Sequence, residues 1–250
     1  MQTRSVRTSR LITALALMIL IACKKEDKPQ SRSVSFEKTE YQVLTPYDST
    51  TGRPLTMLKD TIDPDMLAYI KLMLPEKKDI RQTNPQLLVD NPNVDLHMVQ
   101  SSDVYLTFVS TVTAYKNAIA YYTYPTDLPP QGPNDIKTIT YVFPSAGVGT
   151  KLKAGDKLKL GRFEAGTSIG LVLLRDAFDP TSGSLNNAAI HFCYNDALNP
   201  ELDPQLKKHV VLFKYQHATK ILIGFENTDR STKECDHDFN DAVLYATVIN

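Results

Sequence analysis

The sequence lacks an excess of either charge. Its 250 residues include 28 lysines and arginines and 28 aspartates and glutamates. Nucleic-acid-binding chains usually carry a basic excess, so this balance argues against a nucleic-acid partner. The chain also lacks a Gly-x-Ser-x-Gly nucleophile motif, a phosphate-binding loop and a dinucleotide-binding glycine pattern. We therefore expect a protein that is not an enzyme.

The apolar run at the N-terminus is too short to cross a bilayer as a helix. It covers residues 11–22 and is broken only by Thr13, whereas a spanning helix needs about 20 apolar residues. Three arginines precede it, which is the pattern of a secretory signal peptide over residues 1–22. The run ends in Leu-Ile-Ala before Cys23, which resembles a bacterial lipobox, so we expect Cys23 to be acylated and to anchor the chain. The alternative is an ordinary signal peptide with an incidental cysteine.

Cleavage after residue 22 changes the charge and indicates a location. It removes three arginines and no acid, which leaves 25 basic and 28 acidic residues and a net charge of −3. The charged segment 24–28 resembles the export tags of surface lipoproteins in Bacteroidetes-type bacteria. We expect an outer-membrane lipoprotein on the cell surface, held in the membrane through Cys23. The periplasmic face is the alternative.

Few cysteines are available for cross-linking. The chain has three, and lipidation of Cys23 leaves only Cys193 and Cys235. A pair outside the cytoplasm is compatible with a disulfide between Cys193 and Cys235, with two free thiols as the alternative.

The rest of the chain has two regions that differ in composition and pattern. Residues 23–100 are polar and interrupted by prolines, which indicates a tether and spacer that is mostly irregular. One short helix is predicted, capped by Asp63, started by Pro64 and ended before Pro75. From residue 101 apolar residues alternate with polar ones in about eight runs without helical crossovers. We expect an all-β fold over residues 101–250, an antiparallel β-sandwich of jelly-roll type, with a closed barrel as the alternative.

An acidic segment lies between the last two predicted strands. Residues 226–241, which we call the acid loop, contain six acids against Arg230 and Lys233. The Asp-x-Asp-x-Asn spacing from Asp236 lets alternate oxygens converge on one hard cation, and calcium takes 6–8 oxygen ligands. Zinc is less favoured because no spaced set of cysteines and histidines accompanies Cys235 and His237. The candidate calcium ligands within the loop are Glu226, Asp229, Asp236, Asp238, Asn240 and Asp241. A solvated acidic loop without an ion is the alternative.

The acid loop and its flanking strands resemble a known family. The stretch from Gly224 to Tyr245, with Asp-His-Asp-Phe-Asn-Asp at its centre, resembles the C-terminal signature of domain of unknown function 4114. Residues 104–109, 115–122 and 166–173 resemble its earlier strands, so the resemblance covers roughly 101–249. The family is common in secreted and cell-surface bacterial proteins. It implies a β-rich domain with a calcium site and no established enzymatic activity.

The match to the family's acidic positions is incomplete. Asn227 stands where the family usually has aspartate, and Thr111 stands where it often has glutamate. Fewer carboxylates imply weaker calcium binding. The resemblance also makes the side-chain oxygen of Asn117 a candidate ligand.

These features together predict a binding or adhesion module. The chain is interpreted as a cell-envelope lipoprotein with a calcium-stabilised sandwich that binds a glycan or a surface protein. Tyr121–Tyr124 is interpreted as strand core and sheet surface, with a stacking face for sugar as the alternative. The two rival functions are a carbohydrate-active hydrolase on a β-sandwich and a purely structural module of a surface complex.

Overall fold

The computed structural model describes residues 31–91, 94–215 and 219–250. The predicted signal peptide, the lipidated Cys23 and the first part of the tether lie outside the described residues. No helix in the described part of the chain is both long and apolar enough to span a membrane.

The described residues are mostly strand. The thirteen β-strands are β1 Glu40–Val43, β2 Leu58–Lys59, β3 Ser102–Ser110, β4 Ala118–Pro125, β5 Thr138–Phe143, β6 Asp156–Phe163, β7 Thr167–Arg175, β8 Phe178–Asp179, β9 Ser184–Leu185, β10 Ile190–Cys193, β11 Val210–Lys214, β12 Lys220–Phe225 and β13 Ala242–Ile249. The helices are α1 Pro64–Met73 and α2 Ile80–Thr83, with 3-10 turns at Pro85–Leu88, Pro133–Asp135, Asp196–Leu198 and Pro204–Leu206.

Two open sheets form the body of the protein. One has the strand order β1-β5-β4-β7-β10, the other has β11-β12-β13-β3-β6-β2, and β8 and β9 form a separate ribbon. Neighbouring strands are antiparallel except for the edge strand β1, which runs parallel to β5. The predicted all-β sandwich is confirmed. The alternative of a closed barrel is wrong, since both described sheets end in edge strands.

The sandwich core comes from the inward residues of both sheets. Val104, Leu106 and Phe108 alternate along β3, and they share one buried cluster with Leu171 and Leu173 of β7. This is the two-residue period that the sequence shows, because successive side chains of a strand point to opposite faces. The burial of apolar surface between the sheets therefore holds them together. Each Å² of apolar surface that is buried contributes a free energy on the order of 25 cal/mol.

Helix α1 covers the outer face of the six-stranded sheet, and the sequence predicted it correctly. The Asp63 side chain caps it by accepting from the Asp65 N–H at 2.9 Å, and Pro64 occupies the first turn. Met66 and Ile70 turn towards the sheet and share a buried cluster with Phe239 of the acid loop. A second short helix, α2, follows it and was not predicted.

The segment before residue 101 packs as part of the sandwich. β1 extends the five-stranded sheet, Phe36 is buried on the outer face of that sheet, and Leu96 and Met98 lie in the central core. Asp156 in β6 is fully buried and forms ion pairs with Arg53 and Lys59 of this segment. The described residues 31–100 are thus joined to the sheets, although their composition suggested a spacer.

The possible disulfide between Cys193 and Cys235 is wrong, because both thiols are free and buried. Cys193 lies in β10 and packs on the outer face of the five-stranded sheet with Tyr122. Cys235 lies in the acid loop, with its Sγ 3.4 Å from His237 Nδ1. The two cysteines belong to elements of different sheets. Burial raises the pKa of both thiols, so neither has the thiolate character of a reactive cysteine.

Candidate metal centre

The acid loop joins two adjacent central strands. β12 and β13 pair antiparallel, with Gly224 opposite Val243, so Glu226 and Asp241 stand at the two ends of the loop. The Asp241 N–H donates to the Phe225 carbonyl at 3.2 Å, which closes the base of the loop. Gly224 makes this possible, because a Cβ there would lie 2.6 Å from the carbonyl oxygen of Phe239. The loop is therefore folded back against the strand that it leaves.

Three carboxylates of the loop converge. Oxygens of Glu226, Asp236 and Asp238 all lie within 4.8 Å of one another. Glu226 and Asp238 are buried, whereas Asp236 is exposed. Glu226 Oε2 accepts no hydrogen bond from an N–H or hydroxyl group of the described residues, and the Asp241 carboxyl group lies beside this side chain. A buried carboxylate that lacks such donors is costly, and a cation would supply the positive charge that it lacks.

The carboxyl groups of the acid loop have raised pKa values, because burial and neighbouring negative charges disfavour their ionised forms. Burial, together with the charges of Asp236 and Glu226, raises the pKa of Asp238 to about 6. Burial also raises the pKa of Glu226. At the other end of the loop, burial and the nearby Glu226 carboxylate raise the pKa of Asp241 to about 9. Without a cation, Glu226 and Asp241 are close enough to share a proton, and a divalent ion would replace that proton.

Two residues of the acid loop have positive φ angles, which bend the backbone beside these carboxylates. His237 and Phe239 both have φ of 57°, a region that costs on the order of 1–3 kcal/mol for residues other than glycine. Asp238 holds the bend, since its Oδ1 accepts from the Asn240 N–H at 3.1 Å and its Oδ2 from the Lys77 N–H at 2.8 Å. The Phe239 side chain is fully buried, and it anchors the loop beneath α1.

The structure places two of the other predicted ligands beside the three-carboxylate group. Asp241 is half-buried beside Glu226, and its Oδ2 accepts from the Asn227 N–H at 2.8 Å. Asn240 is buried next to Asp238 and donates its own N–H to that side chain. Both lie at the edge of the three-carboxylate group without belonging to it.

Two of the predicted ligands have other surroundings. Asp229 Oδ1 accepts from the N–H and the hydroxyl of Ser231 at 2.9 and 2.6 Å. These bonds lower the pKa of Asp229, so this residue builds a local turn and lies outside the cluster. Asn117 is fully buried at the start of β4, and neither polar atom of its side chain has a hydrogen-bond partner in the described chain.

A buried polar network holds the loop from behind, and the sequence did not indicate it. His209 places Nδ1 2.8 Å from the Glu226 carbonyl and Nε2 2.7 Å from Glu201 Oε1. Arg230 donates its backbone N–H to the same Glu201 oxygen at 3.1 Å and its Nε–H to His237 Nδ1 at 3.2 Å. Single polar residues spread between positions 201 and 237 give no recognisable pattern in the sequence.

A comparison with protein families identifies the region that contains this centre. Residues 163–248 match the family model of the domain of unknown function DUF4114. The DUF4114 match begins at the end of β6 and takes in the acid loop and both of its strands, which confirms the predicted resemblance for residues 163–248. The strands β3 to β5 precede the matched residues, so the resemblance of residues 104–109 and 115–122 stays a prediction. No curated protein and no solved structure gives a significant match.

Proposed function

We propose that the acid loop holds a calcium ion that stabilises a binding or adhesion module of a cell-envelope lipoprotein. The observation that carries the calcium proposal is the convergence of Glu226, Asp236 and Asp238 oxygens. Glu226 and Asp238 are buried, and Glu226 Oε2 accepts from no N–H or hydroxyl group of the described residues. Two unit charges about 4–5 Å apart repel by about 3–4 kcal/mol at an effective dielectric constant near 20. A divalent cation converts that repulsion into attraction.

The donor set favours calcium over a transition metal. The convergent atoms are carboxylate oxygens, which calcium prefers, and its coordination of 6–8 oxygens accommodates neighbouring carboxyls, carbonyls and water. Cys235 and His237 are poor zinc ligands, because burial raises the pKa of the thiol and His237 Nδ1 already accepts from Arg230. Calcium would link Glu226 at the end of β12 to the Asp236–Asp241 segment before β13.

The module is proposed to bind and not to catalyse. Its place at the cell envelope rests on the sequence, which supplies Cys23 as a lipid anchor and the charged tether after it. The partner would be a glycan or a surface protein. A carbohydrate-active hydrolase and a purely structural module of a surface complex remain the rival proposals.

Thermal unfolding with and without calcium tests the metal proposal. The matched variants are Asp238→Asn, within the cluster, and Glu234→Gln, an exposed acid of the same loop outside it. A ligand at 100 times its Kd stabilises the folded state by about 2.7 kcal/mol. For a chain of this size that raises Tm by about 5–10 °C. We expect this rise in the wild type and in Glu234→Gln and a much smaller one in Asp238→Asn. Equal rises in all three proteins, or no rise in the wild type, would overturn the proposal.

A further inference from the structure

A second site candidate lies away from the acid loop, at one end of the five-stranded sheet. A pocket of about 380 Å³ opens there, which is within the range of about 300–1,000 Å³ typical of small-molecule sites. We call it the tyrosine pocket. The lining residues used below are Asp95, Tyr124, Ser168, Tyr194, Asn195, Asp196 and Lys208. The pocket shares no lining residue with the carboxylate cluster.

The polar groups of the pocket are held in fixed positions. The Tyr122 hydroxyl donates to Asn195 Oδ1 at 2.6 Å, and Asn195 Nδ2 donates to the Tyr124 hydroxyl at 3.3 Å. Thr126 Oγ1 and Ser168 Oγ lie 2.8 Å apart. Hydroxyl groups both donate and accept, so this wall suits a ligand whose groups do the same.

Two carboxyl groups add acceptors at different depths. Asp95 Oδ1 accepts from the Leu96 N–H at 2.6 Å. Asp196 Oδ1 is buried, with no hydrogen-bond partner in the described chain. Its nearest cation is the Lys208 ammonium at 3.9 Å, which itself donates to Asp90 at 2.6 Å. Within the described chain, Asp196 Oδ1 therefore has an ion pair with Lys208 but no hydrogen bond.

The charges of the lining decide between classes of ligand. The lining carries the carboxylates of Asp90, Asp95 and Asp196 against the single ammonium of Lys208, so an anion would be repelled. The ammonium lies 2.6 Å from Asp90 and 3.9 Å from Asp196, and a cation would have to compete with it for these two carboxylates. A neutral molecule with many hydroxyls can bind without displacing this ion pair. The rings of Tyr124 and Tyr194 offer apolar faces with polar tips, which matches a pyranose ring, whose C–H face is apolar and whose rim carries hydroxyls.

We propose that the tyrosine pocket binds a neutral sugar unit, with its apolar face on Tyr124 or Tyr194 and its hydroxyls on Asn195 and Asp196. The inference rests on the proposed function in so far as it gives the binding module a class of ligand. It stands on residues outside the metal centre.

Ligand-observed NMR on the full chain tests the pocket. The probes are glucose, galactose and mannose at millimolar concentration, with galacturonic acid and glucosamine as the anionic and cationic counterparts. All are measured in calcium-containing buffer. We expect at least one neutral hexose to bind more tightly than both charged sugars. Asp196→Asn and Asn195→Ala should each weaken that binding about tenfold, because the first removes a charged acceptor and the second removes the amide that the proposal places on the sugar hydroxyls.

The control variant is Glu37→Gln, which removes an exposed carboxylate outside the pocket and should bind as the wild type does. Melting curves of all variants establish that they are folded. The proposal is overturned if no neutral hexose binds, if a charged sugar binds best, or if both pocket variants bind normally.

The same samples separate this proposal from the calcium proposal. A calcium-dependent rise in Tm without hexose binding would refute the sugar site and leave the metal centre intact. Hexose binding in a protein whose Tm does not change with calcium would refute the metal centre and leave the sugar site intact.

Discussion

Replacing Glu226 by glutamine should have opposite effects with and without calcium. The glutamine has the same shape and keeps an oxygen for the Thr228 N–H, which donates to Glu226 Oε1 at 3.1 Å. It removes one negative charge from a group whose oxygens lie within 4.8 Å of one another. Its amide can also donate to the Asp241 carboxylate, which faces Glu226. The calcium-free protein should therefore become more stable.

The size of this effect follows from the charges. Full repulsion between two unit charges at this distance is about 3–4 kcal/mol at an effective dielectric constant near 20. The wild type already relieves part of it, since burial and the facing Glu226 carboxylate raise the pKa of Asp241 and favour a proton shared between the two groups. We expect a gain of about 1–2 kcal/mol, or about 2–8 °C in Tm for a chain of this size.

With saturating calcium the order should reverse. The wild type gains the binding free energy of the ion, about 2.7 kcal/mol at 100 times Kd, and the variant gains little. Circular dichroism melting curves in EGTA and in calcium, with magnesium as a control, measure both arms. If Glu226→Gln lowers Tm equally in both buffers, Glu226 is a structural carboxylate and the reasoning is refuted.

The remaining predictions concern pH, the buried ion pairs and the thiols. In EGTA, the stability of the wild type relative to Asp238→Asn should fall as pH rises from about 4 to 6, because the pKa of Asp238 is raised to about 6 in the folded state and its contribution is lost as this carboxyl group ionises; a difference that does not change with pH in urea titrations would contradict this. Asp156→Asn should cost about 1–3 kcal/mol in urea titrations, since it weakens the buried link to Arg53 and Lys59; an unchanged midpoint would show that the link adds nothing. Cys193 and Cys235 should react with iodoacetamide only after unfolding, and labelling of the native chain would contradict their burial.

The sequence predicted those parts of the fold that depend on regular patterns. The two-residue period of Val104, Leu106 and Phe108 reflects a strand with one face in the core, and the structure has that strand. Asp63 and Pro64 carry the local chemistry of a helix start, which does not depend on tertiary contacts. Patterns of this kind depend on residues that are close together in the sequence, so they can be recognised without a structure.

Features that depend on distant partners were missed. β1 has mostly exposed side chains, so no apolar alternation marks it, and only its parallel pairing with β5 makes it a strand. Within the acid loop, spacing indicated Asp236 and Asp238 correctly as members of the cluster. It could not show that Asp229 is bonded to Ser231, because a local turn and a metal ligand use the same residue type.

The central claim is that the acid loop binds calcium through Glu226 and its neighbours, and isothermal titration of the metal-free chain tests it most directly. The account predicts one calcium ion per chain, with a Kd on the order of 10⁻⁴–10⁻³ M, as in other extracellular sites. In Glu226→Gln this binding should be lost, while Glu234→Gln should bind as the wild type does. An absence of saturable binding in the wild type, or unchanged binding in Glu226→Gln, would contradict the account.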